Sequence, residues 1–329
     1  MAQSCVMTSQ IALDVRPRIM SWVALSVVYV VWGTTYLAIR VGVRHFPPLL
    51  FAGIRYVVAG AILYPIALRM SKRHGPLARR RRPSVKEWLA GGVIGIVLLV
   101  AGNGGLTIAE KSIPSGFAAV LVATVPLWMI VFARLLRREP ITSRKALSLV
   151  VGLGGVAILM GNGAWSGRAS GVVIVLAASA AWGFGSVLGH RLTLSSNAIF
   201  AAAIEMLVGG AVLTMVASGS GEVAPFHWAS VSTASWVALG YLVGPGSILA
   251  FTAYNYALSH LSVTTVSTYA YVNPVVAVLA GTLFLGERLS FRELIGAALV
   301  LGSIIVVQLP ARKQLDRTTI IPEEASAAV

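Results

Sequence analysis

The sequence predicts an all-α integral membrane protein: ten transmembrane helices arranged as two inverted five-helix repeats. Three observations predict it. The 329 residues are 57% hydrophobic and 11% charged, with mean hydropathy +0.83; a soluble domain carries about 25% charged residues. Ten apolar segments are each long enough to cross ~30 Å of hydrocarbon. Finally, two stretches match at a constant offset of 148: Pro126 with Pro274, Glu139 with Glu287, Arg144 with Arg292 and Gly154 with Gly302. Matches at one offset mark a duplicated unit.

The segments run over about 20–39, 49–69, 88–108, 114–134, 145–163, 171–191, 196–218, 235–258, 263–285 and 291–309. They are uniformly apolar and do not alternate with period two, so helices are expected rather than barrel strands. Ten spans place both termini on one side. If that side is the cytoplasm, 19 basic residues fall in inside loops and tails and 6 in outside loops. This bias selects the orientation by the positive-inside rule and explains the net charge of +15 without nucleic acid. The expected division is a cytoplasmic N-terminal tail (1–18), a first repeat (19–163), a second repeat (171–309) and a cytoplasmic C-terminal tail (310–329). Five spans per half invert the second half relative to the first. Such repeats recur in secondary transporters, with the site near mid-membrane between the halves. The opening residues lack a short apolar core with a small-residue cleavage site, so no cleavable leader is expected. The single cysteine, Cys5, excludes a disulfide framework. Gly91 with Gly95, Gly240 with Gly244, and Gly152, Gly154 and Gly155 have the spacing of close helix packing.

The polar content of the ninth span is unusual. Thr264, Thr265, Ser267, Thr268, Tyr269, Tyr271 and Asn273 precede or flank Pro274. A proline inside a helix removes one donor and strands a carbonyl, which in hydrocarbon needs a partner or a wet cavity. The segment therefore reads either as the wall of a polar space or as a packed kink. Pro126 is the matching helix-break candidate in the fourth span.

These residues resemble the drug/metabolite transporter superfamily, in its ten-span branch with two EamA domains. The central proline is followed by Gly286-Glu287-Arg288-Leu289-Ser290, with a looser copy at Arg138-Glu139-Pro140-Ile141-Thr142. Trp32-Gly33-Thr34-Thr35-Tyr36 and Trp182-Gly183-Phe184-Gly185-Ser186 open the two units. Gly102-Asn103-Gly104, Pro114-Ser115-Gly116, Ala203-Ile204-Glu205-Met206 and Ser267 to Pro274 look closest to its YedA-like bacterial branch. The resemblance covers about residues 20–309. It implies a helical bundle around a central cavity, in the bacterial inner membrane, working without ATP. Export of amino acids, other metabolites or toxic compounds is what the resemblance implies. The first copy departs from the family pattern, placing Arg138 where glycine is usual.

Charges within spans are costly, at least ~2.5 kcal/mol on insertion scales, so each must face a partner or a cavity. Arg55 and Glu205 are the clearest cases, and they are repeat mates at an offset of 150. Inversion places such mates at opposite depths, so no salt bridge between them is expected. Glu205 reads as a coupling carboxylate or as a structural one. Arg55 reads as a snorkelling or structural residue, or as a holder of an anionic substrate group. Glu110, Lys111, His190 and Arg191 end spans, where ordinary solvation is the default and gating by Glu110 or His190 the alternative. Trp128 and Trp165 read as interface anchors.

Uncharged polar and aromatic residues outline a substrate cavity, in a mostly apolar wall as small-molecule sites have. The candidates are Trp32, Thr35 and Tyr36 in the first span, Asn103 and Thr107 in the third, and Trp182 and Ser186 in the sixth. Tyr254 and Asn255 follow in the eighth span and Tyr269, Tyr271 and Asn273 in the ninth. Each of these aromatics could instead be core. No zinc-protease motif, no facing aspartates, no serine elbow and no phosphate-binding loop occurs, so an enzyme is not expected. No cofactor and no metal are expected. The expected partners are the lipid bilayer, a small-molecule substrate and protons as a candidate coupling ion, and not nucleic acid. The reading is a secondary active transporter, with a facilitative channel or uniporter as the alternative.

Overall fold

The structure, a computed structural model, describes residues 2–70, 82–160, 169–189, 191–192, 198–261, 263–266 and 268–308. His190, Trp165, Ser267, the arginine-rich residues 79–81 and the C-terminal tail lie outside these. So does the side chain of Asn255. The regular structure among the described residues is all helical, with no strand among them.

The helices are α1 (Ala2–Gly42), α2 (Pro48–Met70), α3 (Val85–Ala109), α4 (Ser115–Arg137) and α5 (Ser143–Met160). They continue as α6 (Ala169–Gly189), α7 (Ala198–Gly219), α8 (Thr233–Tyr254, running on to His260), α9 (Tyr269–Leu285) and α10 (Phe291–Gln308). Seven of them, α1 to α4 and α6 to α8, are long and apolar enough to cross a membrane. The others, α5, α9 and α10, have 18, 17 and 18 residues. Large side chains such as Leu89, Leu153, Leu279, Leu283 and Phe284 point outward and are more than half exposed, as a bilayer-facing surface requires. The N-terminal stretch is helical, because α1 is continuous from Ala2, and the part of α1 long and apolar enough to cross a membrane is Ile19–Gly42.

Breaks sit where the chain cannot maintain an ordinary helix. α4 is two pieces, Ser115–Val122 and Val125–Arg137. Pro126 lies in the first turn of the second piece, where a missing amide costs nothing. Pro274 behaves differently: it is buried inside α9, and the chain instead interrupts earlier, between a short turn at Val263–Val266 and Tyr269. α3 and α8 each contain a widened π-type stretch, Ile96–Gly104 and Leu242–Leu249.

Close contacts between helices come in matched pairs. A Cβ added at Gly53 would lie 3.2 Å from the Gly210 carbonyl, and one at Gly60 3.1 Å from the Ala203 carbonyl. As α2 advances, α7 retreats, so the two run antiparallel, backbone against backbone. α5 and α10 do the same. Ser148 Oγ donates to the Ser303 carbonyl at 2.9 Å, Gly152 sits against Ser303, and Gly155 sits against Gly296 and Val300. Gly33 of α1 lies on Val276 of α9, as Gly183 of α6 lies on Trp128 of α4. Trp128 is therefore half-buried between helices. Gly91 and Gly95 of α3 pack on Ile204 and Glu205 of α7 as their spacing suggested, but Gly154, Gly240 and Gly244 have no neighbour within 4 Å. The close approach expected at those three positions is not made.

The departure at Arg138 has a structural answer. Arg138 adopts φ 56°, ψ 25°, the left-handed conformation that Gly286 adopts at φ 66°, ψ 20°. Both turns then close alike: the Glu139 amide donates to the Ala133 carbonyl at 3.3 Å and the Glu287 amide to the Gly281 carbonyl at 3.1 Å. A side chain in this conformation costs roughly 1–2 kcal/mol, partly offset by the unfolded-state entropy glycine adds. Arg138→Gly should raise stability by about 0.5–1 kcal/mol, read as a higher midpoint in thermal unfolding of the detergent-solubilised protein.

Candidate functional site

The predicted cavity residues gather in two places rather than one. The first joins α1, α8 and α9. Trp32 packs on Tyr254 and on Tyr269, each with ring centroids 5.2 Å apart, and Tyr254 meets Tyr269 edge-on at 5.8 Å. Edge-to-face and tilted pairs at such distances add to simple burial. The Trp32 indole Nε1 donates to the Gly246 carbonyl at 3.2 Å, which lies in the widened stretch of α8. Thr35 and Tyr36 are buried beside it, and the Thr35 hydroxyl is turned back to the Trp32 carbonyl at 2.6 Å. Asn273, with its amide nitrogen facing acceptors, donates to the carbonyls of Tyr29 at 3.2 Å and Tyr269 at 3.3 Å. It thereby ties α9 to α1 immediately before Pro274. Tyr271 is half-buried on the same helix.

The second place joins α3 and α6. Trp182 lies over Gly102 in the widened stretch of α3, 3.0 Å from where a Cβ would stand. Thr107 and Ser186 bond back to the carbonyls of Asn103 and Trp182, at 2.7 and 2.8 Å. Asn103 Oδ1 is buried with no hydrogen-bond partner. The two places are related: Trp32 and Trp182 are repeat mates, and each rests on the widened stretch of a helix from the other half.

Charged candidates behave in three ways. Arg55 is buried, its Nε donating to Ser247 Oγ of α8 at 3.0 Å and its guanidinium lying 4.7 Å from the centre of the Tyr56 ring. It does not snorkel. Glu205 is half-buried on α7, with Gly95 packed against its own backbone. Arg55 and Glu205 form no ion pair with each other. Glu110 overturns the expectation of ordinary solvation. One residue beyond the end of α3, it is fully buried, and neither carboxylate oxygen has a hydrogen-bond partner. Arg40 donates to its main-chain carbonyl instead. Burial pushes the Glu110 carboxyl well above the usual carboxylate range; Arg40 and Arg55 oppose that push and the Glu287 charge adds to it.

Several participants were not singled out from the sequence: Gly246 and Ser247 of α8, Tyr29 of α1 and Arg40. Pro245, a third mid-span proline in a polar-flecked stretch, was the available signal for the first two. A pocket of about 330 Å³ lies elsewhere, at the α1–α2 connection, lined by His45, Phe46, Lys111 and Glu222 among others. None of the candidate cavity residues lines it. No group of three or more metal-ligating side chains occurs among the described residues.

Comparison with known proteins fits this arrangement. Residues 19–161 and 169–309 each match the EamA-like transporter family. The inner membrane transporter YedA of Escherichia coli (strain K12) is 40% identical over 289 residues, covering 87% of this chain and 90% of its own. The transporter YvbV of Bacillus subtilis (strain 168) is 24% identical over 314 residues, covering 94% and 98%. A solved crystal structure superposes with TM-score 0.60 at 20% identity, over 91% of this chain and 98% of its own; that likeness concerns the fold alone.

Proposed function

This chain belongs to the EamA-like transporter family, and from that premise we propose that it is a secondary active transporter. It exports a small metabolite, an amino acid or a toxic amphipathic compound by alternating access. In this reading ten helices form two inverted repeats, 19–163 and 171–309, in the bacterial inner membrane with both termini in the cytoplasm. The observation that carries it is the set of matched antiparallel contacts. Gly53 meets Gly210 while Gly60 meets Ala203, and Gly152 meets Ser303 while Gly155 meets Val300. Exchanging the halves maps each contact onto its partner, as a two-fold axis in the membrane plane would. Two such interfaces let one half rock on the other around a fixed site.

The Trp32, Tyr254 and Tyr269 cluster is the proposed substrate wall, suited to an amphipathic or cationic body by its half-buried aromatic rings. Trp182 of the second half and Asn103 of the first supply the matching wall. Arg55 holds α2 to α8 through Ser247 and is read as a positioning residue. Glu205 and Glu110 remain the carboxylates available for proton coupling.

Counterflow in liposomes tests the proposal. Purified protein would be reconstituted with a panel of unlabelled amino acids and organic cations inside and labelled counterparts outside. A carrier gives transient, saturable accumulation for at least one compound. Flux that rises linearly with concentration and shows no counterflow would sink the carrier reading in favour of a channel.

A further inference from the structure

We propose that Glu287 is a latch: its carboxylate, docked on the first turn of α4, holds the α4–α9 contact shut at one face of the membrane, and transport requires its release. This rests on the two-sided carrier reading above and adds residues that reading does not use.

Glu287 lies in the turn after α9, yet its side chain reaches across to α4. Oε1 accepts from the Ser115 amide at 3.0 Å. Oε2 accepts from the Ser115 hydroxyl at 2.8 Å and from the Gly116 amide at 3.3 Å. Three donors converge on one carboxylate. Two of them are first-turn amides that a helix cannot satisfy internally, and the charge complements the positive end of the helix. Hydrogen bonds to an ionised acceptor are the stronger kind.

The seat is shaped for the carboxylate. A Cβ at Gly281 would stand 2.4 Å from Glu287 Oε2 and 3.0 Å from Ser115 Oγ. A Cβ at Gly116 would stand 2.9 Å from Val278 of α9. α4 and α9 therefore close on each other around this one side chain, with Ala118, Ala119 and Ala277 fully buried in the same cluster.

The repeat mate provides the contrast. Glu139 follows an identical left-handed turn, with the same amide-to-carbonyl closure. Its carboxylate nevertheless stays beside its own connection, between α4 and α5. It lies 3.2 Å from Arg137 Nε and 3.9 Å from Lys145 Nζ, with a side chain 38% exposed. One turn is thus docked and its twin is undocked. A symmetric resting bundle would show both alike; an alternating carrier caught closed at one face shows this difference. The break in α4 at Ala123–Thr124 lies between the latched piece and the rest of the helix; both pieces pack on α6, and the latched piece also packs on α1 and α9. Release of Glu287 removes the polar bonds that hold the latched piece to α9.

The test uses the full chain with Cys5→Ser and Ala277→Cys, the new thiol lying in the closed α4–α9 contact. Cells expressing it are treated with a membrane-impermeant maleimide. Glu287→Gln keeps the shape and removes the charge; Gly281→Ala keeps the charge and obstructs its seat. Both should raise the labelling rate about tenfold, as loss of charge-assisted hydrogen bonds of this type predicts. Glu139→Gln should not raise it. If both variants remain monodisperse in detergent and label no faster than the parent in cells and in inside-out vesicles alike, the latch is wrong. An increase seen only in inside-out vesicles would keep the latch and place it at the cytoplasmic face, against the outer face that cytoplasmic termini give the turn after α9. Counterflow on the same preparations reports separately on the carrier reading: a latch that opens in a protein without counterflow would separate the two.

Discussion

Gly210→Leu should leave no correctly folded protein in the membrane fraction. A Cβ at this position would stand 2.6 Å from the Val57 amide nitrogen and 3.0 Å from the Tyr56 carbonyl carbon. The obstacle is backbone, which no rotamer change can move. α2 and α7 would have to separate along their whole crossing, because the Gly53 and Gly60 contacts depend on the same approach. In lipid, helix association rests on such packing and not on the hydrophobic effect. The loss should reach roughly 3 kcal/mol or more, large against the stability of a typical fold. Gly240→Ala is the control: nothing lies within 4 Å there, and its effect should be within about 0.5 kcal/mol. Yield of monodisperse protein after gel filtration reads both. Equal yields for Gly210→Leu and Gly240→Ala would contradict the α2–α7 contact described above.

Trp32→Ala should reduce counterflow at least about tenfold while leaving the protein folded, since truncating this indole removes one hydrogen bond and two aromatic contacts. The indole joins three helices: it sits on α1, bonds to Gly246 of α8 and packs between Tyr254 and Tyr269. Its loss leaves both tyrosines without the surface that orients them. Trp32→Phe keeps a ring and gives up only the Nε1 donor, so its counterflow should fall between Trp32→Ala and the parent. Trp182→Ala, the repeat mate, tests whether the second wall matters equally. Initial rates from proteoliposomes, normalised to folded protein, separate these outcomes.

Much of the architecture was legible from composition and from one offset. Apolar spans, their helical nature and the duplication follow from residues alone, because a bilayer permits few solutions. The pairing of Gly53 with Gly210 was not legible. Gly91 with Gly95 and Gly240 with Gly244 have equally good spacing, yet only the first pair packs closely. Spacing states which side of a helix is small, not which side meets a neighbour. Glu110 illustrates a second limit. Its position at a span end suggested water, but it is fully buried, with Arg40 of α1 bonded to its main-chain carbonyl. Tyr254, Tyr269 and Trp32 were individually visible as polar-tipped aromatics; their convergence depended on how α8 and α9 approach α1. Arg138 looked like a departure from the family pattern. The structure places it in the same turn as Gly286, so the backbone was retained while the side chain changed.

The widened stretches of α3 and α8 carry a consequence for motion. A π-type turn holds one surplus residue, and that surplus can migrate along the helix by successive exchange of hydrogen-bond partners. Each step turns the residue it passes by about 100° without exposing a bare peptide group to hydrocarbon. Gly246 and Ser247, the anchors of Trp32 and Arg55, lie inside one such stretch. A crankshaft of this kind would swap the indole and guanidinium onto new acceptors while the rod that carries them stays intact.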